Sequence, residues 1–187
     1  MAKTISTMLP LGTPAPDFSL PDVVSGAHVG LHNAHVAWAT VIIFICNHCP
    51  YVKHINHELI RLANDYIPRN IRFIAINAND VDNYPDDAPD NMKKTAQEQH
   101  YPFPYLFDET QDVARAYQAA CTPDFFVFDQ SLALIYRGQL DDSRPGNGLP
   151  TDGHSIRDAL EHALTNTPIP TSQKPSMGCN IKWKKEH

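Results

Sequence analysis

Two cysteines and a histidine crowd into the segment Phe44-Ile45-Cys46-Asn47-His48-Cys49-Pro50-Tyr51-Val52. Cys49 stands directly before a proline, and proline is favoured at the first position of a helix. A sulfur at such a start faces backbone N–H groups that have no intrahelical acceptor, and the positive end of the helix dipole lies behind them. Both favour a thiolate, so Cys49 is expected to titrate below the ~8.5 of a free cysteine. A thiolate there could attack a peroxide or a disulfide. His48 beside it could lower the thiolate pKa further as an imidazolium or shuttle a proton when neutral; an ordinary surface histidine is the plainer reading. Cys46, His48 and Cys49 are also soft donors of the kind that hold copper or zinc, with His54 or Cys121 to complete a set. They straddle a strand–helix junction rather than a metal knuckle.

The elements that must position these groups follow from hydrophobic period. Ala39 to Ile45 is a β-branched apolar run and reads as a buried central strand. Val52, Ile55, Leu59, Leu62 and Tyr66 recur at helical spacing, which predicts an amphipathic helix over 50–67. Ile71 to Asn77 is a second buried strand, so 38–77 forms a strand–helix–strand unit with parallel strands. Helices are predicted over 92–100 and 110–119, with a short extended piece at 103–107. Asp124 to Asp129 and Leu132 to Tyr136 read as a hairpin joined by Gln130-Ser131. A last helix is predicted over 155–164, with Ser155 as its N-cap. Residues 1–38 read as mostly irregular. The acidic run Asp80 to Asp90 reads as a solvent-facing loop, because it lacks the glycine and closing glutamate of a calcium loop. Spacing alone supports an α/β protein with a mixed sheet.

The chain has 187 residues, 42% apolar and 19% charged, which suits one domain with a real core. A net charge of −6 argues against a nucleic-acid face. Lys182, Lys184 and Lys185 read as solubilising residues of a tail. Neither a membrane span nor a secretory apolar core is evident. The expected compartment is the cytoplasm, where Cys46, Cys49, Cys121 and Cys179 stay mostly reduced.

The Cys49 segment resembles the active-site turn of the thioredoxin-like superfamily, in its alkyl hydroperoxide reductase/thiol-specific antioxidant (peroxiredoxin-like) branch. Gly12 to Pro21 resembles that branch's opening signature, and Cys121 to Asp129 its threonine–proline element ahead of a hairpin. Asp141 to Asn147 and Gly178 to Trp183 look like late segments of an uncharacterised peroxiredoxin-like subgroup. The resemblance implies a thioredoxin fold: a central mixed sheet flanked by helices, with an N-terminal extension and a C-terminal tail. The domain would span 1–166 and the tail 167–187. It implies a cis bond before Pro123, with Thr122 and Cys121 beside Cys49.

In the family register Cys49 is the nucleophile. Val52 stands where a thioredoxin has its second cysteine, and Cys46 stands where a peroxiredoxin has threonine. Arg137 and Arg144 are candidates for the guanidinium that helps bind a peroxide. The implied activity is that of a thiol-disulfide oxidoreductase or peroxiredoxin-like antioxidant enzyme. Its catalytic set would be Cys49, Cys46, Cys121 and Pro123. A second thiol would resolve Cys49, in the order Cys46, Cys121, Cys179. The implied partners are a small peroxide or a disulfide, and an external dithiol reductant. No bound cofactor, nucleic acid or membrane enters this reading, and it leaves a homodimer open.

Overall fold

The computed structural model describes residues 3–32 and 37–185. Its strands, in chain order, are β1 (Lys3–Ile5), β2 (Ser19–Pro21), β3 (His28–Gly30), β4 (Ala39–Phe44), β5 (Ile71–Asn77), β6 (Tyr105–Phe107), β7 (Cys121–Thr122), β8 (Asp124–Asp129), β9 (Leu134–Gly138) and β10 (Met177–Asn180). Its helices are α1 (Pro50–Tyr66), α2 (Pro89–Glu98), α3 (Asp112–Ala116) and α4 (His154–Thr165).

Five strands form the central sheet in the order β6-β5-β4-β8-β9. β4 pairs parallel with β5 and antiparallel with β8, so the sheet is mixed. All six residues of β4 are buried, which explains the unbroken apolar run. Its side chains alternate between two cores. Val41, Ile43 and Ile45 meet Leu59 and Leu62 of α1 and Ile156 and Leu160 of α4. Ile42 and Phe44 face the other way, against Tyr117, Phe126 and Phe128. The apolar stripe predicted for α1 is the face it buries.

Several local expectations change. The N-terminal region is not merely irregular, since β2 and β3 form a small antiparallel ladder. The hairpin link is longer than two residues: Asp129 turns its carboxylate back onto the amides of Ser131 and Ala133, and β9 begins at Leu134. Helix α4 starts at His154 with Gly153 as N-cap, at φ 67°, rather than at Ser155.

The largest difference lies after residue 166. The segment read as a tail carries β10, which is the middle strand of a second sheet, β1-β10-β7. Lys182 is buried rather than solubilising, with its ammonium donating to Asn180 and lying over the Tyr84 ring. A four-residue strand between two short partners carries too weak a period to be read from sequence. No helix among the described residues is long and apolar enough to cross a membrane.

Candidate active site

β4 ends at Phe44, and the Ile45 amide still donates to Ile76. The chain then turns through Cys46, Asn47 and His48 to Cys49, which is the N-cap of α1 with Pro50 in the first turn. Pro50 lacks the N–H that would have no partner there, so it starts the helix without loss. The central strand thus delivers Cys49 to the open amides of α1, as the sequence requires.

All four cysteines are buried and none is bridged. The Cys49 Sγ lies 2.8 Å from the Cys179 Sγ and 3.1 Å from the Thr122 carbonyl oxygen. The Cys46 Sγ lies 3.4 Å from the Thr122 hydroxyl and 3.9 Å from His48 Nδ1. Cys121, one residue before Thr122, makes its thiol contact at 3.6 Å with the carbonyl of Pro123. The Thr122–Pro123 peptide bond is cis, as the resemblance implied.

These neighbours divide the protons unequally. Cys49 is lowered to about 5, first by hydrogen bonding from Cys46; burial opposes this, and Cys179, the Thr122 side chain and the Val52 amide help. Cys46 is pushed far above the usual thiol range by holding that shared proton, by burial and by the charge of Asp87. Cys179 is raised to about 12, mainly by burial and then by its contact with Cys49. Burial and the nearby Asp124 charge push Cys121 up as well. The cluster therefore favours Cys49 as its thiolate, at the positive N-terminal end of α1.

His48 is not a surface histidine. Its Nδ1 lies 2.6 Å from Asp87 Oδ2, and its ring stacks on Tyr84 at 5.7 Å between centroids. Asp87 is fully buried, contrary to the reading of its segment as a solvent-facing loop. It also accepts from the Asn47 amide at 2.7 Å and from the Asn79 side chain at 2.8 Å. These charge-assisted bonds tie the Asp80–Asp90 loop onto the cysteine turn. Donor atoms of Cys46, His48 and Asp87 all lie within 4.8 Å of one another, a set that could take a thiophilic cation.

Arg137 and Arg144 spend their guanidinium hydrogen bonds elsewhere. Arg137 braces Leu9 and Gln173, and Arg144 braces Gln139, Asp141 and Ser143. A polar cleft of about 530 Å³ between α1 and α2 has Cys46 and His48 at its floor and Lys53, Asn56, Lys94 and Tyr101 among its walls. Sequence reasoning missed Asp87, Asn79 and Tyr84, and it placed Cys179 last among the resolving thiols. For Asp87 the available signal was the proline on each side of the short turn, Pro85 and Pro89, which stiffens an acidic loop enough to aim one carboxylate.

The chain is similar over its whole length to the crystal structure of an uncharacterised conserved protein of Geobacillus kaustophilus, at 59% identity, covering 100% of this chain and 99% of that one, with a TM-score of 0.98. A hypothetical protein of Sinorhizobium meliloti is 42% identical over 98% of this chain and 100% of its own, with a TM-score of 0.96. A thiol:disulfide interchange protein of Chlorobium tepidum, of the thioredoxin family, is 18% identical over 83% of this chain and 99% of its own; its TM-score of 0.63 shows the shared thioredoxin fold. No curated protein matches the chain. The pattern of the AhpC/TSA family matches residues 11–137. With that match spanning most of the molecule, and with the cysteine turn, the cis proline and the mixed sheet inside it, the chain belongs to the AhpC/TSA family.

Proposed function

We propose that this protein is a thiol-dependent oxidoreductase that reduces a peroxide or exchanges a disulfide, with the Cys49 thiolate as nucleophile. The observation that carries the reading is the N-cap position of Cys49 at the positive end of α1, with the Cys179 thiol 2.8 Å from its sulfur. With a peroxide, the sulfur takes one oxygen and becomes a sulfenic acid, while the O–O bond breaks and an alcohol or water leaves with a proton. With a disulfide, the sulfur forms a mixed disulfide and expels one thiolate. In both cases a second thiol of the chain closes a disulfide, and an external dithiol restores the reduced state. Cys46, Cys121 and the cis proline Pro123 would complete the site: Cys46 lowers the Cys49 pKa, and the Thr122 carbonyl ahead of Pro123 lies 3.1 Å from the sulfur.

Stopped-flow oxidation of the reduced protein tests this. With hydrogen peroxide in one arm and a small disulfide in the other, at least one should react with Cys49 well above the rate of free cysteine. Rates no better than free cysteine with both would remove the reading.

A second reading is favoured by the convergence of Cys46, His48 and Asp87. Asp87 stands in that group in place of the expected Cys49, and with these donors the chain could hold copper or zinc as a binding module. Protein purified without chelator would then carry near-stoichiometric metal, and His48→Ala would lose it. Metal-free protein would dismiss this alternative.

A further inference from the structure

We infer that Cys179 is the thiol that resolves Cys49, and that strand β10 delivers it in the same chain. This inference rests on the reading of Cys49 as nucleophile. The two sulfurs already lie 2.8 Å apart, against ~2.0 Å for a formed bond. Their 130-residue separation in sequence is closed by strand pairing. In register, Cys179 stands opposite Thr122 on one side and Lys3 on the other, and Asn180 stands opposite Cys121. A strand held by ladders on both edges presents its side chains at fixed positions.

The approach depends on Gly178. A Cβ at that position would overlap the carbonyl oxygen of Thr122. Only glycine lets β10 lie this close to the cis-proline turn and bring its next residue over Cys49. Ser176 adds a clasp, with its hydroxyl donating at 2.5 Å to the Pro123 carbonyl. The consequence is cover as well as delivery: Cys49 is wholly buried with β10 across it.

The electrostatics fit the order of events. In the reduced protein burial, and then contact with the Cys49 thiolate and its charge, hold the Cys179 proton in place. Once Cys49 becomes a neutral sulfenic acid or mixed disulfide, its charge no longer opposes ionisation of Cys179, and burial alone does. The nearby Lys182 then favours ionisation of Cys179. Attack by the Cys179 sulfur on the Cys49 sulfur forms the S–S bond. It releases water from a sulfenic acid, or a thiolate from a mixed disulfide, and the Cys179 proton leaves with that group or to solvent.

The test is disulfide mapping of the full-length reduced protein after one equivalent of hydrogen peroxide, or of cystine, with N-ethylmaleimide quenching and digestion under non-reducing conditions. The expected result is a peptide pair joining Cys49 to Cys179 as the main link, with Cys46 and Cys121 alkylated. Cys179→Ser should lose that pair and leave Cys49 as a sulfenic acid after peroxide, as a mixed disulfide with cysteine after cystine, or joined to Cys46. Gly178→Ala should lose most of the pair while Cys49 is alkylated faster than in the parent chain. A main Cys46–Cys49 link in the unmodified chain, with Cys179 alkylated, would overturn the inference and leave the oxidoreductase reading standing. If neither oxidant modifies Cys49, the oxidoreductase reading fails and the resolving role falls with it.

Discussion

The two ends of the central sheet differ in what they offer a ligand. At one end β4 runs out at Phe44 and β8 begins at Asp124, and there Cys46, Cys49, Asp87, Thr122 and Cys179 meet. At the other end, near Ala39 and Asp129, lies a larger groove of about 1060 Å³, lined by Leu11, Trp38, Leu134, His162 and Ile169. The groove has more room, yet the side chains there show little to do chemistry with. Asp129 is occupied with its own turn, and His162 with Thr167. The crowded end has the reactive groups because α1 begins there, and its open amides favour an anion. At the far end α1 finishes, and its partial negative charge would repel a thiolate. Volume and chemistry thus separate, and the dipole of one helix decides which end is reactive.

Cys49→Ser should have the largest effect at the crowded end. Loss of the Cys49 nucleophile should cost about a thousandfold or more in peroxide or disulfide reduction, as removing a covalent nucleophile does. Retained turnover, read by coupled oxidation of an added dithiol, would place the chemistry elsewhere.

A pH series probes the same sulfur. The Cys49 pKa of about 5 lies below its unfolded value near ~8.5. Its thiolate is therefore present across neutral pH and is lost as pH falls through about 5. Alkylation by iodoacetamide should be flat above about pH 6 and fall about tenfold per unit well below the midpoint. A midpoint near that of free cysteine would deny the helix its role.

Asp124 tests the same end through stability. Burial raises its carboxyl to about 8, against the pull of the Ala120, Phe125 and Cys121 amides. A folded pKa above the unfolded ~3.9 means that its favourable contribution is full at low pH and is lost as pH rises through about 8. The parent chain should lose about 2 kcal/mol or more over that interval, and Asp124→Asn should remove most of the slope in denaturant titrations.

Asp87→Asn removes the charge that orients His48 and the cysteine turn. A fall of about tenfold in Cys49 reactivity is expected, with a stability cost of about 1–3 kcal/mol. An unchanged rate at lowered stability would make Asp87 a purely structural brace. At the other end, Trp38→Ala should leave the rate within about twofold, the usual scale for an exposed position away from the site. A large effect there would show that the groove takes part.

The local pattern of the chain was enough to settle β4, α1 and β5, because each has a long, clean period: six buried residues in β4, and the stripe from Val52 to Tyr66 in α1. It also located Cys49, since Pro50 marks the helix start. Thr122 and Pro123 became legible through resemblance. What remained hidden depends on pairings across the fold. Asp87 reaches His48 over 39 residues, and Cys179 reaches Cys49 over 130. Periodicity tells which face of an element is buried, not which distant face it will be buried against. Only tertiary packing turned an acidic loop into a clasp for the cysteine turn, and a short strand without a readable period into the cover of its sulfur.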